Sequence, residues 1–204
     1  MQENTNTSRL GDILQKNGGY ITRRQVDQNG IQSWFLTDFV RKKKLEKLAA
    51  GFYAKPDWIT DDFLVFQYKY PKFIFSYESA LYLLNLTDSL PQTFEVTGPK
   101  NYRPFSPKEN IAIIHTDYKK ETYELGIAEV ETNLGNKVLA YNAEKTVCDL
   151  IRRSEKIDSE IYTKALYNYS KLKNKNPNRL IEYAKTMGIQ KKVYDTMMVV
   201  LNEL

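Results

Sequence analysis

The chain has 204 residues, 30 Lys and Arg against 25 Asp and Glu, and a composition 42% hydrophobic and 27% charged, so it has room for one large or two small globular domains. One cysteine and one histidine exclude an internal disulfide framework and a Cys/His zinc centre, and they fit a reducing cytoplasm. No stretch approaches the roughly 18 uncharged apolar residues of a membrane span, and the polar start MQENTNTSR lacks a signal-peptide core.

Residues 1–7 read as a polar, frayed end, with Ser8 capping a first helix that carries Leu10, Ile13 and Leu14 at helical spacing. Asn17-Gly18-Gly19 ends it, and Tyr20 and Ile21 form a short apolar link. Thr22 with Gln25 matches a capping box opening a short second helix. Arg23 and Arg24 then fall in the helix's first turn, where the dipole prefers anions; a bound polyanion would relieve that conflict. Asn29-Gly30 turns the chain into a third helical pattern over residues 32–44. At 100° per residue, Ile31, Phe35, Leu36, Phe39 and Val40 share one face, and Ser33, Trp34, Thr37, Arg41 and Lys44 share the other. Two β-like runs follow, 45–48 and 52–54, around Ala50-Gly51, with Lys47 and Lys55 at the base. A packed back, a hydrogen-bonding and cationic front, and a hairpin behind it predict a winged helix-turn-helix.

Charge agrees with that reading. Residues 1–55 hold ten basic and five acidic side chains, so the whole net charge of +5 falls there and the remainder is balanced. Such a surface attracts polyanions. The plain alternative is a solvated cationic face, with Lys47 protecting a strand edge.

Pro56-Asp57 marks a boundary, giving a DNA-binding domain over 1–56 (extending at most to about 75) and a second domain over 57–204. In the second, a helix follows Asp61-Asp62, residues 73–75 form a strand, and Ser76 caps a helix carrying Ala80, Leu81, Leu83 and Leu84. Strands are expected at 94–97, 111–115, 123–131 and 137–142, with a proline-rich basic loop at 98–110. Helices are expected at 143–154, 159–172, 177–187 and 190–203, broken at Gly188. The fold class is α+β: the winged helix, then a domain with a small sheet and a helical tail.

No phosphate loop, nucleophile elbow or histidine pair is present, so no catalytic residue, metal or cofactor is assigned and enzyme activity is not expected. Cys148 sits among Val147, Leu150 and Ile151 and reads as a buried inert thiol rather than half of a pair with His115. Glu129 and Glu131 share a strand face, most simply a solvated one.

The chain also resembles the AbiEi antitoxins of bacterial abortive-infection toxin–antitoxin pairs, in particular the streptococcal type. The resemblance is carried by GGYITRRQVDQNGIQSWFLTDFVRKKKLEKLAAGFYAKPD, by IFSYESALYLLNLTDSLPQTFEVTGPKNYR and by YNAEKTVCDLIRR; Thr97-Gly98-Pro99 stands where Thr-Val-Pro is expected. It implies an autoregulating repressor whose N-terminal domain binds inverted repeats in the promoter of its own operon. Its C-terminal domain would counter a nucleotidyltransferase-like toxin without a stable complex. The recognition-helix residues it implies are Ser33, Trp34, Thr37 and Arg41, with Lys42, Lys43 and Lys44 following on. Position and charge, not the resemblance, add Arg23 and Arg24 at the second helix's start and Lys47 at the hairpin base as DNA-binding candidates. Ser33 and Thr37 lie near base edges, Arg41 meets guanine or phosphate, and the lysines meet phosphates. Trp34 either packs against the first helix or lies on the sugar-phosphate backbone. The protein is expected to be a cytoplasmic monomer, with two or more copies on DNA. The alternatives are an antitoxin acting by direct toxin contact through its helical tail, and an enzyme using Glu129, Glu131, Glu144 and Asp149.

Overall fold

The structure is a computed structural model that describes residues 2–106, 109–116 and 119–202. The chain divides into two compact units, Met1–Lys69 and Tyr70–Leu204.

In the first unit the order is α1 (Gln2–Lys16), β1 (Tyr20–Thr22), α2 (Arg23–Gln28), α3 (Ser33–Lys42), β2 (Glu46–Ala49), β3 (Phe52–Ala54) and α4 (Asp62–Lys69). Leu10, Leu14, Ile21, Val26, Ile31, Leu36, Phe39 and Leu45 form one buried cluster, so each helix from α1 to α3 contributes its apolar stripe to a common core. The strands form a sheet in the order β1-β3-β2, antiparallel throughout, with Ile21 opposite Tyr53 and Lys47 opposite Tyr53 on the other side. Tyr20–Thr22 is therefore a strand and not a link; three residues are too few to show alternation, and β3 supplies the pairing that makes them one. α1 begins at Gln2, which places Ser8 inside the helix instead of at its cap. Pro56-Asp57 lies in the turn ahead of α4. That helix packs with β2, and its Tyr68 hydroxyl donates to the Gly51 carbonyl at 2.9 Å.

The second unit holds β4 (Ile74–Phe75), α5 (Tyr77–Leu83), β5 (Phe94–Gly98), β6 (Ala112–Thr116), α6 (Lys120–Tyr123), β7 (Ile127–Glu131), β8 (Lys137–Tyr141), α7 (Ala143–Arg152), α8 (Ser159–Lys171), α9 (Pro177–Thr186) and α10 (Gln190–Asn202). Its mixed sheet runs β6-β5-β4-β8-β7, with β5–β6 and β4–β8 parallel. Tyr123 closes the short helix α6, although the alternating pattern predicts a strand from that residue, and β7 starts only after Gly126. Pro107 and Lys108 of the basic loop, and Glu203 of the last helical pattern, lie outside the described residues. α7 is the buried helix of the unit. It packs against α5, α8, α9 and α10, and every residue from Glu144 to Ile151 is buried. Asn142 caps it by accepting the Lys145 N–H at 3.0 Å.

Candidate nucleic-acid interface

Local rules set the geometry around α2. The Thr22 hydroxyl oxygen accepts the Gln25 N–H at 3.3 Å and the Gln25 side chain accepts the Thr22 N–H at 3.0 Å, the reciprocal capping box. This fixes Arg23 and Arg24 in the first turn, both exposed. Arg23 Nε lies 3.0 Å from an Asp27 carboxylate oxygen, one turn on. Arg24 lies 5.6 Å over the Tyr68 ring. The Arg23–Asp27 pair is half exposed and so is cheap for a competing anion to open.

The hairpin turn is locked to the same place. The Arg23 N–H donates to the Gly51 carbonyl at 2.7 Å. Gly51 has φ +78°, and a Cβ there would stand 2.9 Å from both Arg23 Cβ and the Tyr68 hydroxyl. Lys47, exposed on β2, precedes a bulge between Lys47 and Ala49.

α3 splits by face. Ile31, Leu36 and Phe39 are buried and Phe35 and Val40 half-buried, whereas Trp34, Thr37, Arg41, Lys42, Lys43 and Lys44 are exposed and Ser33 is intermediate. Trp34 is 53% exposed. It lies on Phe35 of its own helix, ring centroids 3.5 Å apart. Its indole N–H donates to Gln32 Oε1 at 2.8 Å, which adds to this surface a residue that helical spacing does not single out. The Thr37 hydroxyl donates to the Ser33 carbonyl at 3.4 Å. Lys44 closes the helix at φ +52°, a left-handed position usually given to glycine, with the Leu45 N–H returning to the Val40 carbonyl at 3.0 Å.

Asp38 tempers this cationic face. Arg41 reaches it at 2.8 Å and Lys42 at 2.7 Å. Hydrogen bonds from Lys42 and then Arg41 hold its carboxyl below the usual carboxylate range, so it stays ionised at neutral pH. If this face meets duplex DNA, Asp38→Asn should tighten that binding several-fold at low salt, read by fluorescence anisotropy. Unchanged or weaker binding would mean that Asp38 orients the two cations rather than competing for them.

Among the described residues no three His, Cys, Asp or Glu side chains group so as to hold a metal ion. Glu129 and Glu131 are exposed on β7, Glu129 3.6 Å from Lys137. Glu144 is buried and accepts the Asn176 N–H at 2.8 Å, with Arg179 at 3.5 Å. Asp149 is gripped by Lys145 at 2.6 Å and Arg152 at 2.7 Å. His115 is 3.0 Å from Glu95 through Nε2 and 2.7 Å from Arg153 Nη1 through Nδ1. Arginine only donates, so Nδ1 is the acceptor and Nε2 carries the proton toward Glu95. Tyr77, at φ +46°, sets its ring 4.2 Å from the His115 ring.

Cys148 is fully buried, and burial, then the Asp149 carboxylate, push its thiol up to about 12. A raised folded-state value favours the folded protein below the unfolded thiol's ordinary pKa, an advantage lost as pH rises toward that higher value. The native protein should thus show no labelling by a thiol-specific disulfide reagent at pH 8, and one equivalent after unfolding in urea. Rapid native labelling would place the thiol outside the core.

No family model matches the chain, and no curated protein matches it. Among solved structures, the chain is similar to the Rv2827c protein of Mycobacterium tuberculosis, with a TM-score of 0.58 at 14% identity, over 97% of this chain and 76% of that one. At that identity the likeness is one of fold. The molecule is a mixed α+β protein, and no helix among its described residues is long and apolar enough to cross a membrane.

Proposed function

We propose that the first unit is a winged helix-turn-helix that binds double-stranded DNA, with α3 as the recognition helix and the β2–β3 hairpin as the wing. One observation carries the reading. α3 buries Ile31, Leu36 and Phe39 in the core and turns out Ser33, Trp34, Thr37 and Arg41, with Lys42 to Lys44 following at its C-terminal end. Arg23 and Arg24 at the start of α2, and Lys47 on the wing, extend that surface toward flanking phosphates. Together with the resemblance to AbiEi antitoxins, this supports an autorepressor that binds inverted repeats in its own promoter, two or more copies to a site, from a monomer in solution. The second unit then supplies antitoxin activity against a nucleotidyltransferase-like toxin in the cytoplasm, with no cofactor and no catalytic role.

The test is binding of the full chain to its own promoter fragment over a salt series, beside a scrambled fragment of equal length. Preference for the promoter with a steep salt dependence fits the proposal, each neutralised phosphate adding about 0.9 to the log–log slope. Equal binding to both fragments would reduce the first unit to a general polyanion surface.

A second reading has its own observation. α10 exposes Tyr194 (57%), Met198 (43%) and Val199 (58%), of which Tyr194 and Met198 lie one turn apart on one face, an apolar pair suited to direct contact with the toxin. Co-purification of a stoichiometric toxin complex that Tyr194→Asp with Met198→Asp abolishes would favour it. Absence of a complex at micromolar concentration would remove it.

A further inference from the structure

We propose that Gln32 reads an adenine in the major groove and that Trp34 holds its amide in the reading orientation. The inference rests on the DNA-binding reading of α3 and adds a specificity determinant to it.

Gln32 is the N-cap residue of α3, with extended backbone angles (φ −67°, ψ 141°), yet its side chain makes no capping hydrogen bond. Glutamine is not among the good N-cap residues, which are short and reach back to the helix's own N–H groups. Its side chain is exposed and directed instead to Trp34, whose indole N–H it accepts at 2.8 Å. An indole nitrogen only donates. The contact therefore settles which end of the amide is oxygen and leaves the NH2 group and the second oxygen lone pair for a ligand.

The brace reaches the core. The Trp34 ring lies on Phe35, and Phe35 packs against the buried cluster of the first unit. Gln32 is thereby referenced to the same core that positions α3. Burial gives no reason for a tryptophan 53% exposed on this face; positioning the neighbouring amide does.

The chemistry selects the base. An amide offers a donor and an acceptor side by side, matching the N7 acceptor and N6 donor of adenine. Gln32 stands at the N-terminal end of α3, the end a recognition helix presents to base edges. The Ser33 and Thr37 hydroxyls serve as donor or acceptor to any base and discriminate less. Arg41 sits at the far end, engaged with Asp38. Holding the amide before binding also reduces the rotamer entropy lost when it meets the base.

The experiment selects binding sites from a random duplex pool with the full chain as wild type, Gln32→Ala and Trp34→Phe. Wild type should enrich a two-fold motif with one A·T pair per half-site that Gln32→Ala no longer demands, discrimination there falling roughly tenfold or more while other positions hold. Trp34→Phe keeps a ring but removes the N–H, and should weaken preference at that same position only. A motif that Gln32→Ala enriches unchanged overturns the inference and leaves the DNA-binding reading standing. A loss confined to Gln32→Ala overturns the role of Trp34. If wild type enriches no motif, the DNA-binding reading fails and this inference fails with it.

Discussion

Replacing Arg41, Lys42, Lys43 and Lys44 together by alanine is expected to abolish promoter binding at near-physiological salt while leaving the fold intact. All four side chains are exposed, so truncation removes charge without opening the core. Their removal strands Asp38, whose side chain is 30% accessible and can hydrate. Each cation that meets a phosphate releases counterions, so the log–log salt slope should fall by about 0.9 for every phosphate left without its cation. Affinity at moderate salt should fall by roughly a hundredfold or more. The measurement is a titration over several salt concentrations beside thermal unfolding of the same variant. Lys191→Ala with Lys192→Ala, in the second unit, removes two cations outside α3 and should leave binding unchanged. Wild-type affinity in the fourfold variant would show that α3 is not the DNA face.

Asp149→Ala should destabilise the second unit by about 3–5 kcal/mol, because it strands a buried cation. The Lys145 side chain is 1% accessible, its ammonium 2.6 Å from Asp149 and 4.2 Å from the Tyr141 ring centre. Arg152, at 34%, can turn to solvent when its partner goes; Lys145 cannot. Lys145→Met with Asp149→Leu removes both charges and keeps the volume, and should recover most of the loss. Urea unfolding of wild type, single and double variants separates the two causes. Equal destabilisation of both variants would assign the loss to packing rather than to an unpaired charge.

Much of the first unit can be read from local chemistry. Thr22 and Gln25 announce the capping box three residues apart, and the spacing of Ile31, Leu36 and Phe39 gives the buried face of α3. The exposed positions follow by exclusion. β1 is not legible in this way, because its identity depends on pairing with a strand some thirty residues on. The Trp34–Gln32 hydrogen bond is hidden for a different reason: helical periodicity places a Cβ but not the direction of a large side chain beyond it. In the second unit, the Lys145–Asp149 spacing looks like an ordinary surface i,i+4 pair. Tertiary packing buries it, with Lys145 set against the Tyr141 ring and the backbone at Gly126. His115, Glu95 and Arg153 are brought together by sheet register and the end of α7, across 20 and 38 residues of sequence, and no local signal joins them.

Lys44 shows two demands meeting on one side chain. A left-handed helix terminus suits glycine, and a side chain there costs the folded state about 1 kcal/mol. The proposed phosphate contact asks for a cation at the same point, and Lys44 is exposed there. On the proposed DNA-binding reading, the end of α3 holds a small reserve of unclaimed stability that Lys44→Gly would release only by giving up a phosphate contact. Such positions set a ceiling on how far this unit can be made more rigid without loosening its grip on its ligand.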